Sequence, residues 1–231
     1  MTAVAIVPAG GLGVRFGADR PKQFLELAGR PIIIHTLRRL AACPDVSHIV
    51  VALPPTARPV FAALLETFPV EKPITAVAGG AERQESVRLA LAAVPDGTSV
   101  VVVHDAVRPF ATTELITATI AAARADRAAV VGHPATDTIK LVQDGLAYET
   151  PPRSTLYAVQ TPQAFETGLL RDAHARAAAE QVTATDDAML VERLGVPVRI
   201  VPGPRWNLKI THPDDLPLAD FLWQRLARES T

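Results

Sequence analysis

The chain has a single cysteine, Cys43, among 231 residues. One thiol excludes an intramolecular disulfide and any Cys-x-x-Cys metal site. An excess of charge of either sign is also missing, since 23 Lys and Arg offset 24 Asp and Glu to leave a net charge of −1. With no basic excess to draw a phosphodiester backbone, nucleic acid is not an expected partner, and local cations must serve a small anion. Aromatic residues make up 5% of the chain, too few for a platform that stacks single-stranded bases. No apolar run approaches bilayer-spanning length, so no membrane partner is expected. The N-terminal residues read as a strand rather than as a charged segment ahead of an apolar one; no signal peptide is expected, and the expected location is cytoplasmic. Two common glycine motifs are absent as well. No glycine precedes a lysine, which removes the Walker A pattern, and Phe16 stands where the dinucleotide fingerprint needs its third glycine.

What the chain does have is concentrated in residues 4–24. The apolar run Val4-Ala5-Ile6-Val7 stops at Pro8 and opens into Ala9-Gly10-Gly11-Leu12-Gly13, followed by cations at Arg15 and Lys22. A run of this kind predicts a buried strand. Glycines at its carboxyl end let backbone N–H groups approach a ligand closely. With Arg15 and Lys22 added, the segment reads as a cradle for a polyanion, most simply a nucleoside triphosphate.

Apolar, β-branched runs predict strands at 3–8, 48–53, 74–78, 99–103, 129–131, 198–201 and 208–210. Segments of helical period lie between them, at 31–42, 82–94, 113–125, 167–180, 187–194 and 213–228. This alternation predicts one α/β domain spanning 1–231, with a mostly parallel, three-layer Rossmann-like sheet. Ligands on such sheets bind outside the carboxyl ends of the strands. One stretch, 134–157, breaks the pattern. Asp144-Gly145 between two extended runs predicts a hairpin, a protruding β-arm with too little core to be stable alone. A second copy of the chain is its simplest partner.

Further polar groups follow the other predicted strands. Asp105 and Arg108 follow four consecutive valines, with His104 read as a locally bonded histidine. Gly79-Gly80-Ala81 permits close backbone approach to a flat ring or a ribose, and Ser86 nearby either bonds a base edge or simply sits in the following helix. Thr185 or Asp186 predicts a helix cap. Lys209, in a segment expected to be a buried strand, must face an anion, because a lone buried ammonium is costly.

In this order, the Pro8–Arg15 loop, Pro21-Lys22-Gln23-Phe24, Gly79–Val87, Val103-His104-Asp105-Ala106 with Arg108-Pro109, Asp137-Thr138, Arg153, Thr161-Pro162-Gln163, Thr185-Asp186 and Asn207–Thr211 resemble the 2-C-methyl-D-erythritol 4-phosphate cytidylyltransferases of the non-mevalonate isoprenoid route. The resemblance spans nearly the whole chain. It implies a nucleotidyltransferase that moves CMP from CTP to methylerythritol phosphate, and a homodimer joined by the arm. It assigns the CTP phosphates to the backbone of Ala9, Gly10, Gly11 and Gly13 and to the side chains of Arg15 and Lys22. Cytosine falls to Gly80, Ala81 and Ser86, and ribose or magnesium-linked groups to Asp105. The acceptor falls to Arg108 and, from the partner chain, to Thr138 and Arg153. Thr161, Thr185 and Lys209 would close the site. Mg²⁺ would be held mainly by the CTP phosphates, without a dedicated protein metal site. The chain departs from the family pattern at Ala9-Gly10 and at Ala81, where backbone groups do most of the work. It ends after its last predicted helix and so resembles the stand-alone form rather than the fusion to a cyclase. A cytidylyltransferase for another polyol phosphate, such as ribitol 5-phosphate, shares most of these motifs. A metal-dependent glycosyltransferase is disfavoured because no Asp-x-Asp occurs. A non-catalytic nucleotide-binding regulator has no need of Arg15, Lys22 and Lys209 together.

Overall fold

The structure, a computed structural model, describes residues 2–10 and 21–229. In chain order the elements are β1 (Ala3–Pro8), β2 (Glu26–Leu27), β3 (Arg30–Pro31), α1 (Ile32–Ala42), β4 (Val46–Leu53), α2 (Arg58–Thr67), β5 (Ile74–Ala78), α3 (Arg83–Leu91), β6 (Val100–Val103), α4 (Thr113–Asp126), β7 (Ala128–Pro134), β8 (Leu141–Gln143), β9 (Leu146–Glu149), β10 (Tyr157–Glu166), α5 (Thr167–Ala179), α6 (Asp187–Glu192), β11 (Arg199–Pro202) and α7 (Asp215–Glu229).

Seven strands form the main sheet in the order β11-β7-β10-β6-β1-β4-β5. Its pairings are parallel except around β10, which runs antiparallel to both β6 and β7. The central strands are apolar on both faces because both faces are covered. Ala3, Ala5, Val7, Ile49, Val51, Val100 and Val102 pack against Leu37 and Leu40 of α1, Phe61 of α2 and Ile116 of α4. Their neighbours Val4, Ile6, Val50, Ala52, Val101 and Val103 pack on the other face against α3, α5 and α6. A third cluster seats α7 on Leu27, Ile32, Val107, Phe110 and Ile210. The chain leaves β1 for β4 on one side and later returns to β6 on the other, so the strand order reverses between β1 and β6. That is where a crevice opens at the carboxyl ends of such a sheet.

One local expectation needs correction, and two elements were not anticipated. Residues 208–210 form no strand; they run as irregular chain, tied by the Ile210 N–H to Val107 O and packed in the third cluster. Residues 157–166 are a full strand, and 58–67 a helix with Pro at its start. The hairpin exists as β8 and β9, with positive φ at both Asp144 (51°) and Gly145 (80°), as a type I′ turn requires. Its Val142, Leu146 and Tyr148 are exposed in the single chain.

Candidate functional site

The crevice beside β1 and β6 is built by short connections at strand ends. Beyond β1, Gln23 is buried and donates its side-chain amide to Ala9 O at 2.8 Å. This bond pins the single helical turn Lys22–Phe24 to the end of the strand. Lys22 thereby lines a pocket of about 140 Å³ together with Pro8, Ala9, Arg83, Asp105 and Lys209. Gly11, Gly13 and Arg15 lie outside the described residues.

Asp105 is the centre of this pocket. One carboxylate oxygen accepts from Arg83 Nε at 3.2 Å; the other accepts from Lys209 Nζ at 2.9 Å and Arg108 Nε at 3.4 Å. Burial alone would raise the carboxyl pKa, but the cations Arg83, Lys209 and Arg108 hold it far below the usual carboxylate range. Lys209 does face an anion, though from an irregular segment. Arg108 is largely buried, and its Nη1 also donates to Asn207 O at 2.8 Å.

Below the carboxylate a hydrogen-bond chain fixes the backbone. The Asp105 N–H donates to Thr161 Oγ1 at 3.1 Å, and the Thr161 hydroxyl donates to His104 Nδ1 at 3.0 Å. His104 Nε2–H then donates to Arg108 O at 3.0 Å. This order requires a neutral imidazole. Burial agrees, lowering the His104 pKa to about 4 from 6.5. Thr161 therefore supports the site from beneath. In the unfolded chain His104 takes up a proton below about pH 6.5, whereas in the fold it does so only near pH 4. Its contribution of about 3 kcal/mol is complete above the upper value and is lost as pH falls towards the lower. His35, also depressed chiefly by burial, acts in the same direction. The denaturant midpoint should therefore fall between pH 6.5 and 4.5; a flat midpoint over that range would contradict the neutral assignment.

A second cavity, of about 570 Å³, adjoins the first through Pro8 and Arg83 and is lined by Gly10, Gly79, Gly80, Ala81, Glu82 and Ser86. Its size suits a nucleotide-sized ligand. Ser86 is buried; its Oγ accepts from Gly80 N at 3.1 Å and donates to Glu82 O at 3.0 Å. A Cβ at Gly10 or Gly79 would come within 3.2 Å of this oxygen, so both glycines permit the close packing. Glu85 accepts from Ala81 N at 2.8 Å. The predicted base-reading residues are thus together, with Ser86 shaping the backbone that lines the slot.

The acceptor-side residues are placed differently. Thr138, Arg153 and Thr185 are exposed. Arg153 donates to Thr136 O at 3.0 Å at the root of the arm. Asp186, not Thr185, caps α6, accepting from Met189 N at 3.0 Å. Arg83 was given no role by its sequence context, although one signal was available. An arginine in the first turn of a helix opposes the helix dipole and so calls for carboxylate partners.

Among the described residues no cluster of three or more His, Cys, Asp or Glu could hold a metal, and no helix is long and apolar enough to cross a membrane. What the arrangement offers is a nucleotide-sized slot next to a pocket of fixed cations around one ionised carboxylate.

A model of the 2-C-methyl-D-erythritol 4-phosphate cytidylyltransferase family matches residues 3–225 of this chain. Curated relatives of that name include one from Geobacter metallireducens, 45% identical over 232 residues, covering 98% of this chain and 100% of its own length. Another, from Acidobacterium capsulatum, is 46% identical over 239 residues, covering 99% and 100%. The crystal structure of 4-diphosphocytidyl-2C-methyl-D-erythritol synthase from Anaerococcus prevotii matches with a TM-score of 0.86 at 30% identity, over 96% of each chain. That of 2-C-methyl-D-erythritol 4-phosphate cytidylyltransferase from Thermus thermophilus matches with 0.79 at 39% identity, over 96% of this chain and 98% of its own.

Proposed function

Because this chain belongs to the 2-C-methyl-D-erythritol 4-phosphate cytidylyltransferase family, we propose that it transfers CMP from CTP to 2-C-methyl-D-erythritol 4-phosphate, giving 4-diphosphocytidyl-2-C-methyl-D-erythritol and diphosphate for isoprenoid precursor synthesis. The observation that carries this reading is the junction of the two cavities, where a glycine-lined slot meets Lys22, Arg83, Lys209 and Asp105. The substrate phosphate is already ionised at neutral pH, so its oxygen needs no protein base. It attacks the α-phosphorus of CTP in line; the new P–O bond forms as the bond to the β-phosphate bridging oxygen breaks, and diphosphate leaves with that electron pair. The protein's part is to position the two anions and to stabilise charge. Arg15 and Lys22 would hold the triphosphate and the leaving diphosphate, and Lys209, steadied by Asp105, would draw the acceptor phosphate towards the α-phosphorus.

Mg²⁺ fits this site as a substrate-borne ion. The Asp105 carboxylate is already shared among three cations, so phosphate oxygens and water would supply most ligands, as magnesium prefers. When bound, the ion would neutralise charge on the triphosphate. The whole of 1–231 would work as one cytoplasmic catalytic unit, with the 134–157 arm serving a homodimer.

The test is diphosphate release with CTP, Mg²⁺ and methylerythritol phosphate, run in parallel with UTP, ATP and GTP and with EDTA. Turnover with CTP should exceed that with either purine nucleotide if the Gly79–Ala81 backbone that lines the slot reads the base, and EDTA should abolish it. Comparable turnover with ATP, or full turnover in EDTA, would overturn the respective assignment.

A further inference from the structure

Arg83 is the first residue of α3 and lines both cavities. Its guanidinium forks between two carboxylates from different parts of the fold. Nε donates to Asp105 Oδ1 at 3.2 Å, and Nη1 donates to Asp187 Oδ2 at 2.7 Å. Asp187, the first residue of α6, is buried, and its other oxygen accepts from Nε2 of the equally buried His174 on α5 at 2.9 Å. Neither Asp187 nor His174 lines the two cavities.

We propose that Arg83 is a positioning residue of this site, acting through Asp105, and that Asp187 and His174 are the brace that holds Arg83 in place. The argument lies in how the Asp105 oxygens are divided. Oδ2 serves Lys209 and Arg108, whereas Oδ1 is held by Arg83. Arg83 therefore fixes the rotation of the carboxylate plane, and with it the place of Lys209 Nζ. A guanidinium suits this task because its planar fork can serve two carboxylates at fixed directions, which an ammonium cannot. Asp187 matches the second prong and offsets the charge that α3 would otherwise carry at its positive end. The chain α5–α6–α3 thus transmits the packing of one face of the sheet to a single reacting-site carboxylate.

This inference rests on the reaction proposed above, and its test separates the two. Arg83→Lys keeps the charge but loses the fork. Asp187→Asn keeps the shape of a residue that lines neither cavity. Both are assayed with CTP and methylerythritol phosphate well below their melting midpoints, where a purely structural defect leaves the enzyme fully folded. The expected result is a fall in kcat on the order of tenfold or more in each variant, with KM for CTP changed by less than about twofold, since Gly10, Gly79, Gly80 and Ser86, which line the slot, are unchanged. Unchanged kcat with only a lowered melting midpoint would overturn the proposal; so would a raised KM for CTP at normal kcat, which would make Arg83 a direct nucleotide ligand. If Asp187→Asn does not fold, Arg83→Lys decides by the same criteria. A readout independent of turnover is the ¹⁵N–¹H resonance of Arg83 Nε in the wild-type protein. Protection of this proton from solvent exchange is expected, and rapid exchange would overturn the bracket even if the wild-type chain proved to have another substrate.

Discussion

Lys22→Ala is expected to lower kcat on the order of 10²–10³-fold while leaving the melting midpoint within a few degrees of wild type, and Arg15→Ala is expected to do the same. Removing one preorganised electrostatic donor from a developing transition-state charge has that order of effect. Lys22 is suited to the role by its anchoring. The turn that carries it is tied to the end of β1 through the buried Gln23, so the ammonium is presented to the same small pocket as Asp105 and Lys209. Among the described residues, none of the apolar core clusters includes it, which is why stability should be largely spared. Arg15 shares the expectation on sequence grounds alone, as the cation that follows the glycine-rich run Gly10-Gly11-Leu12-Gly13. Steady-state kinetics with melting curves check both variants. Near-normal turnover in a folded Lys22→Ala protein would remove that cation from the account.

Arg153→Ala is expected to be nearly inactive alone and to regain activity when mixed with Lys22→Ala chains. Arg153 stands exposed at the root of a hairpin whose Val142, Leu146 and Tyr148 are exposed. A planar guanidinium there suits a phosphate, and a two-fold interface would carry each arm to the other chain's crevice. In a mixed dimer one site then bears both defects and the other neither, so up to about half of the wild-type activity per mixed dimer should return. Activity after proven subunit exchange is the measurement. If exchange occurs and none returns, Arg153 serves its own chain or no site, and the arm is a clasp alone.

Much of this architecture was legible because β6, most of β1 and the second half of β4 are unbroken apolar runs. Such runs are tolerated only where both faces of a sheet are covered, and β1, β4, β5 and β6 all appear where the runs do. The glycine segments and Asp105 could be placed at the site because they follow those strands at their carboxyl ends. β10 was hidden for a functional reason. Its buried interior carries Gln160, Thr161 and Gln163, which bond Asn207, the His104 ring together with the Asp105 N–H, and Asp186 respectively. A strand spent on holding the site does not show an apolar pattern. α2 was hidden by Pro59 in its first turn and by burying only Phe61 fully. Residues 208–210 look like a strand by composition, but Lys209 is held by Asp105 and the flanking residues pack against α7, so no neighbouring strand pairs with them. Arg83 escaped notice because its partners, Asp105 and Asp187, lie 22 and 104 residues away, a juxtaposition that only the folded sheet creates.

The most direct test of the central claim is a competition in one tube. The wild-type protein is given CTP, Mg²⁺ and equal amounts of 2-C-methyl-D-erythritol 4-phosphate and ribitol 5-phosphate, and the products are followed by ³¹P NMR. The account predicts diphosphate together with one cytidine diphospho-alcohol, that of methylerythritol, with ribitol 5-phosphate left unconsumed. Preferential formation of the ribitol product, or release of diphosphate with no diphosphocytidyl alcohol formed, would contradict it.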